Sequence, residues 1–152
     1  MIKKDSPSHV KAYAARLLAV QAFYQVSQNR SAIKTVYQEY LDHRLKAEED
    51  GEEAVQPDAK LFKLVLYGTH ERFVELESIV SANLKKDASD RVVEPLLKAI
   101  LMCAVFEILV QDSIDPPIII NDYLNVGHAF YEKNEVALIN GVLDSVVKLL
   151  RA

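Results

Sequence analysis

The residues best suited to chemistry, which are the histidines, the cysteine and the carboxylates, are not spaced as a catalytic or metal site. Histidines stand at positions 9, 43, 70 and 128, and no two share one helix turn with a carboxylate. His70-Glu71 lacks the second histidine of a zinc-hydrolase motif, and one cysteine cannot supply a structural zinc site. The chain has no glycine-rich phosphate loop and no Gly-x-Ser-x-Gly elbow. The sequence therefore predicts no enzyme, no metal site and no cofactor.

The single cysteine, Cys103, lies inside the longest apolar run, residues 99–106. We predict an inert core thiol, and a lone cysteine fits the reducing cytosol. The run ends at Glu107 and is far shorter than the roughly 20 apolar residues of a membrane-spanning helix. The first five residues lack the apolar segment of a signal peptide. We expect a cytoplasmic protein that does not enter a membrane.

Two polar residues interrupt faces that the pattern otherwise makes apolar. Gln21 falls four residues after Leu17 on one such face, and Glu107 follows the apolar run. A buried amide or carboxylate is costly unless it is hydrogen-bonded. Each residue therefore closes an internal network that fixes helix packing or faces a groove used by a partner; for Glu107 we favour the internal role. Asn121 is then either the partner of Glu107 or a local cap.

Charge is unevenly distributed along this chain, whose net charge is −4. Residues 1–38 have a net charge of +5, and residues 39–58 have a net charge of −6. The basic side chains of the first segment are Lys3, Lys4, Lys11, Arg16, Arg30 and Lys34. A basic segment on an acidic body can be a footprint for phosphate groups, although solvated charge is the commoner meaning of such a bias.

The elements that must position these residues are helices, because apolar residues recur with helical spacing almost throughout the 152 residues. Half of the residues are hydrophobic and only four are glycine, which fits one globular domain. We predict an all-α fold of about seven helices, with a break at Gly68-Thr69 and Pro95 tolerated only in a first turn. The predicted helices lie near 7–28, 31–46, 59–67, 70–86, 91–111 and 117–130, and a last one follows a connection at 132–135. The acidic stretch 47–57 is predicted to be an exposed, mobile loop.

Five short motifs, in order along most of the chain, resemble those of the NusB family of bacterial transcription antitermination factors. The opening Ala-Arg-Leu-Leu-Ala-Val-Gln-Ala-Phe-Tyr at 15–24 is similar to the family's Ala-Arg-x-x-Ala-x-Gln-Ala-Leu-Tyr. Leu-Val-Leu-Tyr-Gly at 64–68, Ala-Val-Phe-Glu-Ile at 104–108 and Ile-Asn-Asp at 120–122 follow. The closing Ile-Asn-Gly-Val-Leu-Asp at 139–144 is the most specific motif. Any one of these is weak alone, whereas their order and spacing together are a strong signal.

This resemblance implies one non-catalytic helical domain, residues 1–152, made of two packed helical subdomains. It further implies pairing with NusE, the small-subunit ribosomal protein, and binding of the pair to boxA RNA of ribosomal RNA leaders on the RNA polymerase elongation complex. A similar domain also occurs fused to an RNA cytosine methyltransferase, but 152 residues leave no room for a methyl-donor-binding sheet. The remaining alternative is a NusB-like scaffold with weakened or lost RNA binding. The resemblance is compatible with either a monomer or a homodimer.

The RNA-binding residues suggested by the resemblance differ from the family pattern. Only Arg16 remains of an amino-terminal arginine cluster, Ala137 and Leu138 stand where the family tends to place a basic and an aromatic residue, and Met102 replaces an arginine. Lys98, one turn before Met102, can substitute for it. The predicted RNA-binding residues are Lys3, Lys4, Lys11, Arg16, Tyr24 and Lys98. The structural alternatives are a solvated tail for Lys3 and Lys4, an ion pair with an acid of a neighbouring helix for Arg16, and a core position for Tyr24 with its hydroxyl at the surface.

The partner surface is predicted on the helix around 91–110, with Tyr24 contributing from the first helix. Glu94 is the acidic residue nearest to where the family places a partner-contacting glutamate, although it lies about one turn away. The predicted structural polar residues are Gln21, Glu107, Asn121 and Asn140.

Overall fold

A computed structural model describes residues 6–44, 55–86 and 93–151, and its regular elements are seven α-helices. The helices are α1 (Ser8–Asn29), α2 (Ile33–His43), α3 (Ala59–Glu71), α4 (Phe73–Lys86), α5 (Pro95–Val110), α6 (Pro116–Phe130) and α7 (Lys133–Leu150). The all-α prediction and the helix number are confirmed. In the described part of the chain, no helix is both long and apolar enough to cross a membrane.

Several helix ends follow directly from local chemistry. The Asp58 carboxylate accepts a hydrogen bond from the Leu61 amide at 3.1 Å, so it satisfies one of the free amides at the start of α3. Pro95 and Pro116 are the first residues of α5 and α6, where a missing amide proton costs nothing. Arg30 closes α1 in the left-handed conformation, with φ at 51°.

The predicted break at Gly68 is wrong, because α3 continues to Glu71. A Cβ at Gly68 would lie 2.1 Å from the Phe106 ring, so this glycine permits a close approach of helix and ring rather than a bend. The interruption falls at Arg72, whose amide still donates to the Gly68 carbonyl at 3.1 Å.

The predicted connection at 132–135 is also wrong in part, because α7 begins at Lys133. Most of the predicted 47–57 loop lies outside the described residues.

The first of two compact units comprises residues 1–67, with α1 packed on α2. Four aromatic rings join α2 to α3 inside this unit. Tyr37 and Tyr40 each stack on Phe62, with ring centroids 6.0 and 5.7 Å apart, and Tyr37 meets Tyr67 edge to face at 5.5 Å. Phe62 and Tyr40 are buried and form the core between the two helices, whereas Tyr37 and Tyr67 are half-buried at its edge.

The second unit comprises residues 68–152, and α5 lies at its centre. This helix contacts α4, α6 and α7. Residues 99–108 are all buried, as expected of a helix that is apolar on every side. The second unit thus forms a bundle in which α5 is the core element.

Candidate nucleic-acid and partner interface

The first helix presents the basic side chain of Lys11 at its amino-terminal turn. Lys11 is half-buried, and its backbone carbonyl accepts a hydrogen bond from the Asp58 amide at 3.1 Å. Because Asp58 also caps α3, this bond fixes the start of α3 beside the first turns of α1. Lys3 and Lys4, predicted to act with Lys11, lie outside the described residues.

Arg16 does not extend this surface, because only 3% of it is exposed. A guanidinium at this depth is shielded from an RNA phosphate in this conformation. The burial argues against the predicted phosphate contact and favours the alternative in which Arg16 has an internal role. The arginine cannot be recognised as internal from the sequence, because a basic residue on a helix is exposed in most proteins.

Tyr24 lies on the same helix as Lys11, but the two are not neighbours. Thirteen residues of α-helix separate them by about 20 Å and about 140° of rotation. Tyr24 is half-buried, and Gln21, one turn before it, accepts a 3.4 Å hydrogen bond from Arg44. The guanidinium of Arg44 also lies 5.4 Å above the ring of Tyr40. Gln21 is therefore a half-buried link between α1 and the end of α2.

The predicted partner residue, Glu94, lies at the exposed amino-terminal end of α5. Its carboxylate accepts a hydrogen bond from the Tyr131 hydroxyl at 3.0 Å, which ties α5 to the residue that follows α6. Lys98, one turn along α5, forms an ion pair with Glu77 of α4. We call these four residues the α5 surface. The Lys98 charge is already paired there, which weighs against its predicted RNA contact.

Glu107 is fully buried and hydrogen-bonded inside the second unit, as we predicted. Its carboxylate accepts from the Tyr123 hydroxyl at 2.5 Å and from the Gln111 amide at 3.2 Å. Asn121 is exposed, so the suggestion that it pairs with Glu107 is wrong: two residues farther along α6, Tyr123 points inward instead. Asn140 is exposed as well and is not a buried structural residue.

Two other polar residues, Asn83 and Arg151, have internal roles that the sequence did not predict. Asn83 is buried; its amide donates to the Ile79 carbonyl and its oxygen accepts from the Ser145 hydroxyl, both at 2.8 Å. Its place seven residues after Leu76, on an apolar face, is a signal that could have identified it.

Arg151 donates to backbone carbonyls between α5 and α6, those of Ile108, Gln111, Asp112 and Ile114. No sequence pattern marks such a contact, because every residue has a carbonyl.

The described residues contain no group of three or more histidine, cysteine or acidic residues that could hold a metal ion. Cys103 is fully buried, as predicted. Burial raises the pKa of its thiol above the ordinary value; the nearby Thr69 hydroxyl lowers it, and the charge of Glu107 raises it further. The described surface carries basic side chains, half-buried aromatic rings and the exposed Glu94 at the start of α5.

Comparison with known proteins gives one consistent result. Residues 13–148 match the model of the NusB family. A transcription antitermination protein NusB from Allorhizobium ampelinum is 34% identical over 138 residues, which are 91% of this chain and 86% of the relative. The protein of the same name from Novosphingobium aromaticivorans is 33% identical, over 91% of this chain and 93% of its own length.

Solved structures show the same fold at lower sequence identity. The fold is similar to T. maritima NusB, with a TM-score of 0.69 and 20% identity, over 94% of this chain and 92% of that one. A crystal structure of the antitermination factors NusB and NusE in complex with dsRNA gives a TM-score of 0.71 and 19% identity, over 90% of this chain and 96% of that one.

Proposed function

The chain belongs to the NusB family, and from this premise we propose that it is a transcription antitermination factor. It would pair with NusE, bind boxA RNA of ribosomal RNA leaders, and act on the RNA polymerase elongation complex in the cytoplasm without a catalytic step. The observation that carries this proposal is the family match across residues 13–148, with relatives of that name 33–34% identical over 91% of the chain.

For NusE we propose two contacts, each within its own unit: the α5 surface, and Tyr24 on α1. Glu94 supports this assignment because its exposed carboxylate is held by Tyr131 rather than moving freely in solvent. Charge reversal in Glu94→Lys should weaken a NusE pull-down, while Glu132→Lys, at another exposed acidic position, is the control for net charge. Unchanged NusE binding by a folded Glu94→Lys variant would move the interface elsewhere.

For RNA we propose the amino-terminal basic segment, with Lys3, Lys4 and Lys11 as phosphate contacts. Three phosphate contacts on a single strand give a slope of log affinity against log salt of roughly −2. Lys11→Gln should make that slope shallower by about 0.7. Lys85→Gln, which removes an exposed lysine from α4, should leave the slope unchanged. The measurement is a salt titration of fluorescent boxA RNA with the NusE pair.

A second candidate, a helical scaffold with weakened or lost RNA binding, is favoured by two observations. Arg16 is buried, and Lys98 is paired with Glu77. Under this alternative NusE binds but boxA RNA does not, with or without NusE. The same titration therefore separates the two functions. Sedimentation velocity on the free chain would decide between monomer and dimer.

A further inference from the structure

A basic and aromatic face lies on α2 and α3, and none of its residues is among the RNA-binding residues predicted from the sequence. Its members are Lys34, Tyr37, Lys60, Lys63 and Tyr67, which we call the α2–α3 face. The three lysines are exposed and the two tyrosines are half-buried. Lys63 joins the two helices, because its ammonium nitrogen lies 5.6 Å from the ring centre of Tyr37 and 5.9 Å from that of Tyr67.

Spacing aligns these side chains into two short rows. Lys34 and Tyr37 are three residues apart on α2, and Lys60, Lys63 and Tyr67 follow one another at intervals of three and four on α3. Residues 59–67 contain both α3 lysines and no acidic residue, although the whole chain has a net charge of −4. The face is therefore a local concentration of positive charge beside aromatic rings.

This face adjoins the phosphate contact proposed for the first helix. The hydrogen bond between the Lys11 carbonyl and the Asp58 amide places the start of α3 against α1, and Lys60 follows Asp58 by two residues. Two residues of chain span at most about 7 Å. The backbone of Lys60 therefore lies close to that of Lys11, at the point where α3 begins beside α1.

We propose that the α2–α3 face binds single-stranded RNA that flanks boxA, as a continuation of the contact made at Lys11. Lysines beside partly exposed aromatic rings are the combination that binds single strands without sequence preference: the charges contact phosphates and the rings contact bases. The inference rests on the proposed function, because boxA RNA must first be held at the amino-terminal segment. An acidic protein segment would be drawn to the same charges, but it would have no use for an aromatic stacking surface.

The test compares two RNAs, boxA alone and boxA extended by ten unpaired uridines on either side, each with the wild-type chain and NusE. Wild type should bind the extended RNA more tightly, with a steeper salt dependence. The double variant Lys60→Gln/Lys63→Gln should bind the extended RNA no more tightly than boxA alone. Its slope of log affinity against log salt on the extended RNA should be shallower by about 1.4 than that of wild type. The Lys85→Gln/Lys148→Gln pair removes two exposed lysines from α4 and α7 and should bind as wild type does.

The tyrosine contact has its own matched pair of variants. Tyr67→Phe keeps the ring and should bind the extended RNA as wild type does, whereas Tyr67→Leu should weaken binding by about fivefold or more. Thermal melting identifies any variant that has lost its fold, and the surface lysine pair tests the proposal even if Tyr67→Leu unfolds.

The possible outcomes separate this inference from the proposed function. If wild type binds neither RNA, the proposed RNA function itself fails. If wild type binds boxA and the extended RNA equally tightly, the α2–α3 face is not an RNA contact. The same follows if the double variant Lys60→Gln/Lys63→Gln still binds the extended RNA more tightly than boxA alone. If that double variant keeps full RNA affinity but loses binding to the elongation complex, the face contacts a protein, which also overturns the inference.

Discussion

The hydroxyl of Tyr123 lies 2.5 Å from a carboxylate oxygen of Glu107, and both residues are fully buried. A buried carboxylate that loses a hydrogen-bond donor keeps its desolvation cost without the compensation. The pair therefore joins α5 to α6 by a polar contact inside the buried core of the second unit.

Tyr123→Phe should lower the free energy of unfolding by about 1–3 kcal/mol, because Glu107 then retains fewer donors in the same buried site. Urea unfolding of this variant, of Glu107→Gln and of the double variant gives the coupling energy directly. If the effects of the two single changes simply add, the hydrogen bond does not stabilise the protein.

Gly68→Ala should destabilise the second unit, because the added methyl group would lie 2.1 Å from the Phe106 ring. Overpacking of this kind costs typically 1–3 kcal/mol. Gly141→Ala is the matched control: nothing lies within 4 Å of its Cβ position, and alanine in a helix should stabilise by about 0.5–1 kcal/mol. Thermal unfolding of both variants checks the opposite signs, and Phe106→Leu should partly rescue Gly68→Ala.

Gly68 also shows where the sequence can and cannot predict this structure. Helical periodicity predicted the helices and their number, because that signal needs only the identities of residues three and four apart. The break at Gly68 was wrong because the reason for a glycine there is the Phe106 ring, 38 residues away in the sequence. Family motifs pointed to Arg16 as an RNA contact, but motif position carries no information on burial. Arg151, whose hydrogen bonds to other described residues all go to backbone carbonyls, had no signal at all.

Arg151→Ala should lower the free energy of unfolding by about 2 kcal/mol, because its guanidinium makes charged hydrogen bonds to carbonyls at the α5–α6 turn. Arg72→Ala is the comparison, since the contact that its side chain makes within the described part of the chain is an exposed ion pair with Glu75 at 3.3 Å, worth at most about 0.5 kcal/mol. Urea unfolding measures both. Equal effects of the two substitutions would mean that the contacts of Arg151 add nothing beyond those of a surface arginine.

Cys103 should stay unreactive in the native protein, because burial shields the thiol and raises its pKa. Labelling with a thiol reagent such as iodoacetamide at pH 8 should proceed only at the rate of unfolding, and it should become fast in denaturant. Rapid labelling of the folded chain would contradict the burial of this residue.

The same raised pKa gives stability a pH dependence whose sign is fixed. In the unfolded chain the thiol ionises near pH 8.5, whereas the folded chain keeps its proton, so the unfolded state is favoured as pH rises above that value. Full stability is present below pH 8.5, and above it the contribution of Cys103 falls by about 1.4 kcal/mol per pH unit. Cys103→Ala lacks this group, so the difference in unfolding free energy between wild type and Cys103→Ala isolates the effect from other titrations. That difference should be constant from pH 6 to 8 and shift in favour of the variant between pH 8.5 and 10; a constant difference throughout would mean that the thiol titrates alike in both states.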